Sequence, residues 1–329
     1  MHKARYNLLH LSLELSPRGP LLVKAGGVSA DPSLPDMQFV RIYHPQQGET
    51  PYIPGSSLKG VVRSFVEKVL RTLDTSGQPG PAQNKGWRWA CATFEPGRGE
   101  AGQREKWNCP RFLQDKSLLE KVTEEQERDL YSWEIYRHSC GACRIFGHTR
   151  LRGRASFSDF LPKGEVRTEV RYGVAISRLS QAVVPGALFE TEVAVAGTFA
   201  GKLVLENFEL WQLALLALAL ESIERGLLKV GYGKNRGFGE VSISVREARL
   251  DEVATALDPT VWRGLGALVN GDEAARYGLS RDDCVGGLPQ PSDSVQLGIY
   301  TRRYYDAQRW GQIVPRLLAT IGATQEATG

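Results

Sequence analysis

No stretch of this chain is long and apolar enough to span a bilayer. The most apolar run, residues 213–220, falls far short of the roughly 20 residues that a membrane helix needs. The N-terminal MHKARYNLLHLSLELS is basic, but it has neither a continuous apolar stretch nor a small-residue cleavage site. It is expected to form a first strand rather than a secretion signal, and a cytoplasmic location with no membrane contact is the expectation. Cysteine is sparse, five in 329 residues, and in a reducing compartment these would not pair as disulfides. The five histidines (His2, His10, His44, His138, His148) are scattered, and no Ser/His/Asp or Cys/His arrangement accompanies them. No Gly-Lys-Ser/Thr follows the glycine spacing of a nucleotide P-loop. There is no exact internal repeat, and the two strand–helix halves are at most a weak duplication.

What is present is an ordinary globular composition, 42% hydrophobic and 24% charged with a net charge of +4. The charge is unevenly placed. Residues 137–154 read RHSCGACRIFGHTRLRGR, with five arginines and no acid. Such a cluster supplies phosphate contacts or forms a solvated basic surface.

Periodicity predicts an α+β fold, with two helices packed on one antiparallel sheet. Residues 6–15 alternate, with Leu9, Leu11, Leu13 and Leu15 on one face. Residues 17–50 read as a long loop, of a length usually reserved for function. Residues 57–73 carry the clearest amphipathic stripe, and 209–225 form a second helix, apolar all round at its centre and so deeply buried. Residues 165–186 are polar and suggest a projecting hairpin. Residues 188–195 and 201–206 suggest another around Gly197, and 238–246 a last strand. The organisation expected is a main domain over 1–247, with an insertion at 74–153 and a thumb at 163–190, followed by an extension over 248–329. The run YTRRYYDAQRW in that extension either touches nucleic acid or packs on the main domain.

Two motifs carry chemistry. In PYIPGSSLKG, residues 51–60, two prolines fix an extended approach and Gly55 permits a sharp turn. Ser56 or Ser57 is then expected to cap the helix. Free N–H groups at a helix start attract anions, and Lys59 and Arg63 add positive charge. An ordinary capped helix reads the same way. In GYGKNRGFG, residues 231–239, four glycines (Gly231, Gly233, Gly237, Gly239) alternate with Lys234, Arg236 and two aromatics. Glycines let backbone approach a polyanion, the cations neutralise phosphates, and Tyr232 or Phe238 can stack on a base. Hairpin turns also collect glycine.

Together, PYIPGSSLKGVVRS and GYGKNRGFGEV resemble the signature helix and C-terminal glycine-rich loop of the RAMP (repeat-associated mysterious protein) superfamily of CRISPR systems. The intervening YGVAISRLSQAVVPGALFETEV, which contains Arg178, resembles the thumb hairpin of type III effector backbone subunits. The resemblance covers roughly residues 5–247. It implies a ferredoxin-like (RRM-like) fold and a subunit that stacks with copies or paralogues of itself and other effector subunits along a guide RNA. Base pairing to a complementary target RNA would then read the sequence. Guide contacts would fall on Ser56, Ser57, Lys59, Arg63, the 231–239 loop and Arg178.

Cys140-Gly-Ala-Cys143 is a C-x-x-C hairpin, with Cys91 and Cys109 upstream, and four thiolates suit a structural, tetrahedral Zn²⁺ with no open position for water. Four unrelated reduced cysteines are the alternative. His138 is a substitute ligand, and Cys284 stands alone. The resemblance also implies that an aspartate in the loop after the first strand cleaves target RNA with Mg²⁺ or Mn²⁺. Asp36 matches that place, with Asp31 second, although Asp-Pro and Pro-Asp are also turn formers. A non-catalytic scaffold and a metal-independent guide-processing nuclease are the competing functions; no histidine here sits in a motif that supports the latter.

Overall fold

Four leucines set the architecture. In β1 (Asn7–Pro17) the alternation places Leu9, Leu11, Leu13 and Leu15 at 0–1% exposure while His10, Ser12 and Glu14 face the other way. The computed structural model describes residues 4–26, 34–46, 48–74, 86–91, 108–113, 130–253 and 258–322. After β1 come β2 (Arg41–His44), β3 (Gly48–Pro51), α1 (Gly55–Leu73), α2 (Cys109–Phe112), α3 (Ser132–His138) and α4 (Gly141–Phe146). Next are β4 (Ala155–Phe157), β5 (Leu161–Pro162), β6 (Arg167–Ile176), β7 (Val183–Ala196), β8 (Phe199–Glu206) and α5 (Leu210–Glu224). The chain continues through β9 (Val241–Val253), β10 (Trp262–Arg263), α6 (Leu265–Leu268), α7 (Gly271–Tyr277), β11 (Cys284–Val285), β12 (Asp293–Leu297), β13 (Tyr300–Asp306) and α8 (Ala307–Gly322).

The main sheet is seven-stranded and antiparallel, in the order β12-β13-β9-β1-β8-β4, with β5 also on β8. Its inner four strands run 9-1-8-4, with α1 lying between β1 and β4 in the chain and α5 between β8 and β9. Helices α1, α5 and α8 join the leucine face in one hydrophobic core. Helix α5 is buried almost all round, as its unbroken apolar centre predicts.

Three features differ from the sequence reading. Strand β7 does not pair with β8 around Gly197. Both edges of β8 are taken, by β1 on one side and by β4 and β5 on the other, so β7 pairs with β6 in a separate two-stranded ribbon. The last strand of the main domain does not stop at Arg246 but runs to Val253. Charges in its second half are paired. Asp251 takes Arg302 in two bonds of 2.7 Å, and Glu252, fully buried, pairs with Arg303. Through them the extension joins the same sheet, with β13 on β9, and Trp262, Tyr305 and Trp310 enter the main core.

The insertion and the extension are also not separate appendages. Leu113, Ile135, Tyr136 and Leu151 share a second core with Leu265, Val269, Tyr277 and Leu279. Tyr136 meets Tyr277 edge-on at 6.0 Å. Arg144 and Arg154 lie over the Tyr136 ring at 5.0 and 4.9 Å, and Arg144 also donates to the Ser139 and Arg137 carbonyls. Both guanidiniums are buried. Two of the five arginines in the basic run are thus structural and unavailable to phosphate.

At the seam between extension and α5, Asp283 Oδ1 accepts the Leu210 N–H at 3.0 Å. Burial, and then the charge of Glu209, push its carboxyl up to about 7. The folded chain therefore keeps a proton that the unfolded chain, with a carboxyl near 3.9, gives up earlier. That stability is fully present below the unfolded value and is lost as pH rises through the folded one. Unfolding free energy is expected to fall between about pH 4 and about pH 7 more steeply in the wild type than in Asp283→Asn. Denaturant melts of the two across that window check it.

Candidate nucleic-acid cleft and metal centre

Helix α1 begins one turn-edge earlier than the serines suggest. Its N-cap is Pro54, with no side-chain cap, and Gly55 is already helical and buried. Neither Ser56 nor Ser57 caps it. Nor does Gly55 make a turn. A Cβ there would lie 2.4 Å from the Phe157 carbonyl oxygen, so glycine is required by the close passage of the β4–β5 connection. One N–H of the helix start is already used, since Gly55 donates to Asp159 Oδ1 at 2.8 Å.

With the cap released, the serines belong to a cleft. Ser56, Ser57 and Ser64 on one flank of α1 face the 227–235 segment across a cavity of about 820 Å³. Lys24, Lys68, Lys229 and Lys234 line it, together with Tyr232, which is 40% exposed. No acid lines it. None of the four ammonium groups joins an ion pair among the described residues; Lys229 donates to the Lys234 carbonyl at 3.3 Å. Burial, and then the charge of Lys68, pull the Lys234 ammonium below its ordinary value. Cations crowded without counter-charge form a field that a polyanion relieves.

The glycine-rich loop is the cleft's far wall, and backbone approach forms it. Tyr232 N–H donates to the Leu22 carbonyl at 2.7 Å, and Gly239 N–H to that of Pro20 at 2.8 Å. At Gly231, φ is +84° and a Cβ would stand 2.2 Å from the Leu22 oxygen, so no other residue fits. Gly233, Gly237 and Gly239, also at positive φ, shape the loop without lining the cavity. Phe238 packs against the core and is not a stacking platform.

Of the residues singled out in the sequence, Ser56, Ser57, Gly231 and Lys234 come together here. Others do not. Lys59 and Arg63 lie on the opposite flank of α1, where Arg63 binds Glu67 at 2.9 Å and the Gly147 carbonyl at 3.2 Å. Arg236 lies over Phe189 at 5.9 Å. Arg178 is exposed in the turn of the β6–β7 ribbon, away from the cleft lining. Sequence reasoning missed Lys24, Lys229 and Ser64. Lys68 stands four residues after Ser64, which puts both on one helix flank.

Asp36 is exposed and lies against the base of the ribbon, its Oδ2 accepting the Glu190 N–H at 2.9 Å. Met37 bridges Thr191, and Phe39 N–H donates to Glu192, which also pairs with Arg41. Among the described residues no group of three or more metal-ligating side chains includes Asp36. Asp31 lies outside the described residues.

Cys91, Cys109, Cys140 and Cys143 are all buried, and their sulfur atoms lie within 4.8 Å of one another. A tetrahedral ion with bonds of about 2.3 Å sets its sulfurs about 3.8 Å apart; the Cys91 and Cys143 sulfurs are 3.7 Å apart. No histidine joins the set. Cys140 N–H points at the Cys109 sulfur and Cys143 N–H at that of Cys140, at 3.3 and 3.4 Å, and such donors favour thiolates. Hydrogen bonds from Cys109, Cys140 and Cys143 hold the Cys91 thiol well below its ordinary range. The donor set fits a structural metal such as zinc. Arg63 reaches the Cys143 sulfur at 3.8 Å and Arg71 the Cys91 carbonyl at 2.9 Å, so the site fastens the insertion to α1. Elemental analysis is expected to find about one zinc per chain. Cys140→Ser/Cys143→Ser is expected to lose the ion and to lower the Tm by roughly 10 °C, the equivalent of several kcal/mol.

No helix among the described residues is long and apolar enough to cross a membrane. No curated protein matches the chain. A family model described as the RAMP superfamily matches residues 14–242, a span that holds the end of β1, α1, the cysteine centre, the ribbon and the whole glycine-rich loop. The chain that builds this lysine cleft therefore belongs to the RAMP superfamily.

Proposed function

We propose that the protein is an RNA-binding subunit of a type III CRISPR effector complex, holding the backbone of a guide RNA in the lysine cleft between α1 and the glycine-rich loop. The observation that carries this reading is the cleft itself, four unpaired lysines with no acid among its lining residues. Family membership supports it, since the superfamily suggests a CRISPR-associated role in RNA binding. The inner strand order 9-1-8-4 and its helix placement support a ferredoxin-like core. Lysine rather than arginine favours backbone holding over base reading, because an ammonium is a point charge without the planar fork that reads guanine. The partners implied are the guide, a complementary target RNA and neighbouring effector subunits, in the cytoplasm.

Cleavage of the target by Asp36 is the finer reading. Asp36 is accessible, and the Glu190 N–H fixes its direction. Asp36 supplies a carboxylate there; a Mg²⁺ or Mn²⁺ ion would supply charge neutralisation at the phosphate. A scaffold without nuclease activity is the second reading, favoured because no group of three or more metal-ligating side chains among the described residues includes Asp36.

If four lysines hold single-stranded RNA, the logarithm of the affinity should fall against the logarithm of salt with a slope of about −2.8. Lys68→Ala/Lys234→Ala should bring it to about −1.4; a slope unchanged in the variant would move the site elsewhere. In the assembled complex, Asp36→Ala is expected to slow cutting of guide-matched RNA by roughly a hundredfold or more. Equal cutting by both proteins would leave the scaffold reading.

A further inference from the structure

The main sheet protects one of its edges and leaves the other open. At the first edge β4 and β5 have only three and two residues, and β5 ends on Pro162. Between them Phe160 exchanges backbone hydrogen bonds with Ile53 at 2.8 and 3.0 Å. Shortness, proline and a covering segment are common protections of a sheet edge. At the second edge β12 has none of them. It runs for five residues, Asp293–Leu297, in unbroken register with β13, without lysine, proline or bulge. All five are exposed, and among the described residues no strand pairs with its outer side. Val295 and Leu297 are 40% and 42% exposed, on the face away from the core and beside Arg302 and Tyr300. Ile299, in the turn to β13, is 64% exposed. None of these residues lines the lysine cleft.

An open edge offers free N–H and C=O groups to another strand. We infer that β12 is a docking strand and that its occupant is the β12 of a second copy, paired antiparallel about a two-fold axis. The strand fits itself. A two-fold perpendicular to the sheet keeps both open faces on one side, so residues of like parity pair. The register that uses the whole strand sets Val295 against Val295, Ser294 against Gln296 and Asp293 against Leu297, with no like charges opposed. Charge fits as well. Leu297 pairs across β13 with Tyr300, and Arg5 lies over the Tyr300 ring at 4.8 Å. Arg5 is exposed and joins no ion pair among the described residues. Strands lie about 4.8 Å apart, so the other copy's Asp293, the one charge in β12, stands about 10 Å from Tyr300, near the Debye length at physiological salt. The contact is isologous: it joins two copies and stops, unlike head-to-tail stacking. It is also weak, because so short a strand pair buries less than the roughly 1,200 Å² of a stable interface. It does not depend on the RNA-binding reading.

Sedimentation velocity of the full chain, from about 1 µM to about 1 mM, reads the association. Wild type is expected to pass from monomer to dimer across that range and no further. Val295→Lys sets two lysines against each other at the axis and should weaken the dimer by about tenfold or more. Position 295 is exposed, so an unchanged Tm separates this loss from misfolding. Asp293→Arg should weaken the dimer too, and adding Arg5→Asp should restore it. In a Cys284→Ser background, a short bismaleimide should join Val295→Cys chains to each other. A monomer at every concentration, a dimer untouched by Val295→Lys, a charge swap without rescue, or Val295→Cys chains that stay separate would overturn the inference. So would monomers whose β12 amides gain exchange protection only in the assembled complex, because that edge would then belong to a different subunit.

Discussion

The backbone stitch around residues 20–23 is the constraint on which the site depends. Leu21 exchanges two hydrogen bonds with Ala194 at the ribbon's base, at 2.9 and 2.8 Å. Leu22 accepts from Tyr232 in the glycine-rich loop, and Val23 from Val40. All three side chains are 5% exposed or less, so their carbonyls have no water to fall back on and each needs its partner. The same short strap thereby fixes the cleft wall, the ribbon and the segment that carries Asp36. Glycine at 231 follows from this: only a residue without a Cβ brings the loop close enough to Leu22 to close the stitch.

Charge then distinguishes the two faces of the sheet. On the face away from the helices, acids and bases neutralise one another. Glu14 binds Lys163 and Arg246 at 2.8 and 2.6 Å, and Asp251 binds Arg302. His10 is held below its ordinary value by burial and then by Arg249, so at neutral pH it adds little charge. In the cleft the lysines join no ion pair among the described residues. Paired surface charges contribute little to stability and still less to recruitment, whereas unpaired ones packed in a concave wall focus a field. The reading proposed above accordingly puts the polyanion in the helix–loop cleft and not on the open sheet.

Much of the fold was legible because it follows from period: the leucine alternation of β1, the stripe of α1, the apolar centre of α5. The failures have a common cause, residues whose partner lies far away in sequence. Asp251 and Glu252 lie beyond the strand expected over 238–246 and join it only because Arg302 and Arg303 arrive from a later strand. Arg144 and Arg154 read as phosphate ligands until Tyr136 takes them. Lys24 and Lys229 carried no local signal, because a strap and a loop bring them to the cleft. Arg63 was misplaced for a reason the sequence did contain: Glu67 stands one helical turn later, which marks that flank as paired. The four cysteines were legible as a set, because metal chemistry constrains residue type even where spacing is loose.

The central claim is that RNA lies between α1 and the glycine-rich loop. Photo-crosslinking of the intact protein to thiouridine-substituted guide RNA, followed by mass spectrometry of the adducts, tests it most directly. The account predicts adducts on Tyr232 and on the flanks that carry Lys68 and Lys234. Adducts confined to the open sheet around His10, Arg249 and Tyr304, with none in the cleft, would contradict it.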